Sequence, residues 1–123
     1  MTADAVRLLG AADRVLSGAV ELPRGRGARI AAVLARSALE DIVVETCATH
    51  GIDVAEATMR VRLATLIAVS DPRAGELAMA WWNLSRACHQ HAYEMGPHHG
   101  EVAHWVAAVR DQLGAVESEG SSA

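Results

Sequence analysis

The sequence predicts an all-α fold, an antiparallel up-and-down bundle of four main helices closed by a short C-terminal one, and three observations carry that expectation. The apolar half of the chain is dominated by Ala, Val and Leu and contains no Phe, a composition suited to closely packed helices and poor for a sheet sandwich. Apolar residues recur at spacings of three and four along several stretches, the period of a helix with one buried face. Gly, Pro and Asp punctuate those stretches, as helix breaks require. At 123 residues the chain is long enough to enclose one core, read as a single helical domain over 1–116 with a disordered, small and polar tail over 117–123.

The first helix is expected from about Asp4 to Ala19, with Val6, Leu9 and Val15 as its spaced apolar positions. Pro23-Arg24-Gly25-Arg26-Gly27 then interrupts the pattern in a basic loop, read as a solvated connection. The second helix should run from Ala28 to His50, with Ile30, Val33, Leu34, Ala38, Ile42 and Val43 inward and Arg36, Glu40, Asp41 and Glu45 outward. Gly51 stops it, and Ile52 can supply the apolar contact that follows a glycine cap. Asp53 and Glu56 form an Asp-x-x-Glu start for a third helix carrying Met59, Leu63, Leu66 and Ile67. Asp71-Pro72 ends it and opens the fourth, with Asp71 as N-cap and Pro72 at the first helical position. The fifth should span His99 to Val116, burying Val102, Trp105, Val106, Val109 and Leu113.

Charge and cysteine usage narrow the functional classes. A net charge of −4 excludes a protein that coats nucleic acid by charge alone, so any nucleic-acid contact must be local. All eleven basic residues are Arg. Cys47 and Cys88 do not make a disulfide framework, no charged, apolar and cleavable leader is recognisable, and no apolar run is long enough to span a bilayer. The expectation is a cytoplasmic protein without membrane contact.

The chemistry concentrates on the fourth helix, where Arg86-Ala-Cys-His-Gln-His-Ala-Tyr93 brings a guanidinium, imidazoles and the chain's single phenol into one short run. A guanidinium can hold a phosphate bidentately and an imidazole can move a proton near neutral pH. On a regular helix Leu77, Trp81, Leu84, Cys88, Ala92 and Met95 form a core stripe, while Asn83, Arg86, His89, Gln90 and Tyr93 form a polar one, with Trp82 beside it. His91 lies roughly 140° around that helix from Arg86, so one unbroken helix would not bring both to one phosphate. His89, three residues after Arg86, is an alternative base.

The spacing Arg86-x4-His91-x-Tyr93 resembles the signature of the HEPN superfamily, and most closely the toxin half of minimal nucleotidyltransferase/HEPN toxin–antitoxin pairs. The resemblance implies a helical bundle that runs past the motif into a final helix, as Pro97 and Glu101 to Leu113 suggest. It implies a homodimer with its cleft at the interface, and metal-independent cleavage of an RNA substrate in which the ribose 2′-hydroxyl attacks the adjacent phosphate. Arg86 would stabilise charge on the phosphoryl oxygens, His91 would transfer the proton, and Asn83 and Gln90 would support the polar face. Tyr93 would be the residue that a nucleotidyltransferase antitoxin modifies with AMP, and no cofactor is implied. One departure stands out: the family usually has a polar residue, often Asn, directly after the Arg, and this chain has Ala87.

Other readings of the same residues remain open. Arg86 can be a surface ion pair, His91 a half-buried ring bonded to a carbonyl, and Tyr93 an edge-of-core phenol. A non-catalytic HEPN-type binding or dimerisation module is the main alternative. A small metal-binding bundle using Cys88, His89, His91, His98, His99 and His104 is another, although no metal-ligand motif accompanies them.

Overall fold

The computed structural model describes residues 3–23, 26–89 and 98–121. Its secondary structure is α-helical: α1 (Ala3–Leu16), α2 (Gly27–Thr49), α3 (Met59–Ala68), α4 (Ala74–Cys88) and α5 (His99–Ser121). The order and number match the sequence expectation, but the C-terminal helix expected to be short is as long as α2, 23 residues each; no strand occurs among the described residues.

Helix α2 touches each of the other four helices. Its buried side reads Ala31, Ala32, Ala35, Ala38, Leu39, Ile42, Val43, Thr46 and Cys47, a wide arc that opens with four alanines. Methyl side chains let neighbouring helices approach closely, whereas the branched residues beyond Ala38 fill the broader end of the core. Ala5, Leu9 and Ala12 of α1, Leu63 and Leu66 of α3, Leu77, Ala80 and Leu84 of α4, and Val102, Val106 and Val109 of α5 complete one contiguous core. The hydroxyl of Thr46 is fully buried there, and it donates to the Ile42 carbonyl at 2.8 Å.

Three expected core positions turn outward instead: Val6, Val33 and Ile67 are 48%, 48% and 59% exposed. Alanines occupy the inner face beside Val6 and Val33, namely Ala5, Ala31, Ala32 and Ala35, so a count of large apolar residues places the stripe one position off. Helix α1 ends at Leu16 rather than Ala19, and α5 continues to Ser121, past Val116 and into the segment read as a tail.

Two helix starts also differ from expectation. Asp53 does not open α3; its carboxylate accepts from the Ala55 N–H at 3.1 Å, and Thr58 is the N-cap, accepting from the Val61 N–H at 3.2 Å. Arg62 then latches the 53–58 connection onto α3, donating to the Val54 carbonyl at 3.0 Å and to the Ala55 carbonyl at 3.1 Å. Asp71 stands in a turn before α4, which begins at Ala74; its carboxylate accepts from the Arg73 N–H at 2.8 Å, a cap placed one turn earlier.

The helix ends share one device. After α2, Gly51 (φ 72°) turns the chain left-handed, its N–H bonded to the Ala48 carbonyl and the Ile52 N–H to the Cys47 carbonyl, with Ile52 packed on the core as expected. The same pair of bonds closes α3, where Ser70 (φ 58°) occupies the left-handed position: Ser70 N–H to Ile67, Asp71 N–H to Leu66. For a non-glycine residue that conformation costs about 1–2 kcal/mol, more than the roughly 0.4–1 kcal/mol of unfolded-state entropy that a glycine adds. Ser70→Gly is therefore expected to stabilise the bundle by about 0.5 kcal/mol and Gly51→Ala to destabilise it by about 1 kcal/mol. Urea unfolding midpoints followed by circular dichroism measure both, and equal midpoints for Ser70→Gly and wild type would contradict the argument.

Candidate functional site

Arg86 lies in the last turn of α4, on the solvent side, and is anchored from its own helix. Its Nη2 donates to Asn83 Oδ1 at 2.6 Å, and Asn83 Nδ2 donates to the Met79 carbonyl at 2.8 Å, which fixes the amide's orientation. Across the gap to α5, Glu101 Oε1 approaches the same Nη2 at 3.5 Å, with the two side chains 66% and 46% exposed. The structure thus brings the predicted Arg86 and Asn83 together and adds Glu101 from the first turn of α5, a carboxylate that no local sequence signal connects to them.

Helix α4 ends at Cys88, with His89 as its C-cap; the His89 N–H reaches the Ser85 and Arg86 carbonyls at 3.1 and 3.2 Å. The expectation that one regular helix carries the motif from Arg86 to Tyr93 meets a helix end at Cys88, and the rotational argument separating Arg86 from His91 concerns residues outside the described ones. Gln90, His91 and Tyr93 lie outside the described residues, as do Ala92, Glu94, Met95 and Pro97.

His89 faces a different neighbour from Arg86. Its Nε2 lies 3.4 Å from Arg36 Nη1 of α2, and the Arg36 guanidinium is stacked over the Trp81 ring at 4.2 Å and ranged beside Glu40 at 4.0 Å. This cationic seam borders Cys88. Burial pushes the Cys88 thiol up, and the opposing pull of the Arg36 charge and hydrogen bond and of the Arg29 charge does not reverse it. Cys88 therefore stays a thiol at neutral pH, which suits packing rather than nucleophilic work.

His98, His99 and His104 have structural employment. His98 Nδ1 accepts from the Gly100 N–H at 3.2 Å and so caps α5, while His99 Nε2 donates to the Leu16 carbonyl at 2.9 Å and ties α5 to the end of α1. His104 stacks edge-on against Trp105. Among the described residues no three His, Cys, Asp or Glu side chains converge as metal ligands. Both cysteines are free.

A second titratable pair escaped the sequence reading because its members are distant along the chain. His50 Nε2, at the C-cap of α2, donates to Asp71 Oδ2 at 2.7 Å, and the Asp71 side chain is only 3% exposed. Burial alone would raise the Asp71 carboxyl, but the hydrogen bonds from His50 and from the Arg73 main chain and side chain, with the Arg73 charge, hold it below its ordinary range. Cys47 lies one turn before His50, yet it is fully buried and burial pushes its thiol up, so no accessible nucleophile completes the pair. The pair fastens α2 to the α3–α4 turn.

No protein-family model, curated protein or solved structure matches this chain. Membership in a family is therefore argued from residues alone. No described helix is long and apolar enough to cross a membrane.

The Asp71 node sets an acid limit. Its folded pKa lies below the unfolded one, so its contribution is complete above about pH 4 and is lost as pH falls through the folded value. Asp71→Asn is expected to cost about 2 kcal/mol at neutral pH, because His50 and the Arg73 main chain and side chain lose a charged acceptor, and to flatten the fall in stability below pH 4. Urea titrations between pH 2.5 and 7 give both quantities; a variant with wild-type stability would contradict the role assigned to the carboxylate.

Proposed function

We propose that the chain is a HEPN-like antiparallel bundle acting as a metal-independent endoribonuclease, the toxin of a toxin–antitoxin or defence system. The observation that carries this reading is Arg86 itself: the first residue of the Arg-x4-His-x-Tyr run stands exposed in the last turn of α4, its guanidinium oriented by Asn83. A phosphate meeting it would find a donor fork whose other contacts are exposed and weak.

In the proposed reaction the ribose 2′-hydroxyl attacks the adjacent phosphorus, forming a 2′-O–P bond as the 5′-O–P bond breaks. Arg86 stabilises the charge that builds on the non-bridging oxygens, and His91 transfers the proton. The resemblance supports a homodimer as the active unit and a nucleotidyltransferase antitoxin that modifies Tyr93 with AMP. A nucleotide on Tyr93 would bring phosphate to Arg86 and fill the cleft. Free thiols at Cys47 and Cys88 support a cytoplasmic setting.

A second reading, a non-catalytic binding module of the same type, draws on Ala87, which packs in the core where the family carries a polar residue, and on Glu101, which already neighbours Arg86. The two readings part on turnover. Purified chain incubated with RNA in EDTA should cleave it, and Arg86→Ala and His91→Ala should each lower the rate by about a hundredfold or more while leaving helical content by circular dichroism unchanged. Undiminished cleavage by Arg86→Ala would overturn the mechanism. Loss of activity in His89→Ala with retention in His91→Ala would move the base to His89, and no cleavage by wild type would favour the binding module.

A further inference from the structure

The outward face of α4 carries more than Arg86. Met79, Trp82, Asn83 and Arg86 follow the spacing i, i+3, i+4, i+7 and share one stripe, with α3 on one side and the start of α5 on the other. Trp82 is 55% exposed, although an indole of that size in a chain with a well-filled core has every reason to be covered. From α3, the Arg60 guanidinium lies over the Trp82 ring, 5.6 Å from its centroid. Arg60 has no carboxylate partner among the described residues. One turn on from Trp82, Arg86 presents the second exposed guanidinium.

We propose that this stripe is a contact surface for a single unpaired RNA strand, with Trp82 stacking a nucleobase and Arg60 and Arg86 holding phosphates to either side of it. The proposal rests on the reading of the chain as RNA-directed and names the substrate class: RNA whose bases are free to leave the helix. Aromatic faces flanked by cations are the usual platform for single strands, because every base has a π-face and every linkage a charge. Trp82 and Arg86 are one helical turn apart, about 6 Å between Cβ atoms, a span that a base and a neighbouring phosphate bridge. In a duplex the bases are stacked on each other and offer no face to an indole. The charge distribution agrees with a local contact: the chain carries −4 overall, yet both described cations on this stripe and beside it are exposed. Among the described residues Glu101 is the carboxylate ranged against them, 3.5 Å from Arg86, in a pair open enough to water for a phosphate to replace it.

The test uses the full chain and a short fluorescent 2′-O-methyl oligoribonucleotide, which cannot be cut by its own 2′-oxygen, with binding read by anisotropy. Wild type should bind the unpaired strand more tightly than the same strand in a duplex. Trp82→Ala should weaken binding about tenfold and Trp82→Phe should retain most of it. Arg60→Ala should reduce the slope of log affinity against log salt by about 0.7. Equal binding by Trp82→Ala and wild type, no preference for the unpaired strand, or no binding by wild type would each overturn the proposal. So would light scattering in which Trp82→Ala dissociates a dimer without changing affinity per chain, since the stripe would then be a self-association face. Trp82-dependent binding without cleavage of ordinary RNA would uphold the surface while removing the nuclease reading; cleavage unaffected by Trp82→Ala would do the reverse.

Discussion

The close approach of helices along the alanine-lined side of α2 is the constraint on which the rest of the molecule depends. Ala31, Ala32, Ala35 and Ala38 are fully buried, and α2 is in contact with every other helix. Where the inner side chain is a methyl group, a neighbour's backbone can come near enough for its own small residues to pack. Enlarging one such position would push out an adjoining helix, a change that typically costs about 1–3 kcal/mol. The same helix sets both borders of α4. Its C-cap residue His50 holds Asp71 just before α4 begins, and its Arg36 covers Trp81 and meets His89 where α4 ends. The placement of Arg86 follows from how α4 packs on the adjoining α2.

Arginine divides into two populations that composition does not distinguish. Arg62 closes the connection before α3, Arg73 joins Asp71, and Arg110 bonds Asp13 at 2.5 Å and the Leu9 carbonyl at 3.3 Å to dock α5 on α1. Arg36 is held between Trp81, His89 and Glu40. Such guanidiniums stitch elements together, using several donors at fixed angles in a way a lysine could not. Arg60 and Arg86 belong to the other population, facing water from neighbouring helices with an exposed indole between their elements. An acidic protein can thus present a cationic strip without being basic overall.

Periodicity made the helices legible, and the Gly51-Ile52 stop and the buried Val102, Val106, Val109 and Leu113 of α5 were readable, although Trp105 of that stripe is only partly buried. What misled was the weight given to large apolar side chains. Val6, Val33 and Ile67 look like core, but alanine fills the inner face of α1 and the first half of α2, and alanine carries little hydrophobic signal. Helix starts were ambiguous because Asp53, Thr58 and Asp71 are all capping types, and each does accept a nearby N–H. Only the backbone path decides which of these bonds opens a helix. In the site, Asn83 and Arg86 were legible because three residues on a helix determine a contact. The pairs His50 with Asp71, Arg36 with Trp81 and Arg86 with Glu101 were not, since each joins elements whose mutual placement is a property of the whole core.

The two observations that favour a non-catalytic module weigh less once their energies are considered. The Arg86–Glu101 contact is between exposed groups, and such pairs contribute about 0–1 kcal/mol, whereas a phosphate can engage the guanidinium fork with two charge-assisted bonds. Ala87 is 7% exposed and sits on the inner side of α4, next to the fully buried Leu84 in the core. A polar side chain at that position would be buried, at a cost of about 1–3 kcal/mol unless it found a partner, and it would point away from the outward face that carries Arg86. In this bundle the alanine is thus accounted for by packing, whatever chemistry the outward face performs. A dimer stands on the resemblance alone, while the outward placement of Arg86 and its support by Asn83 belong to the single chain.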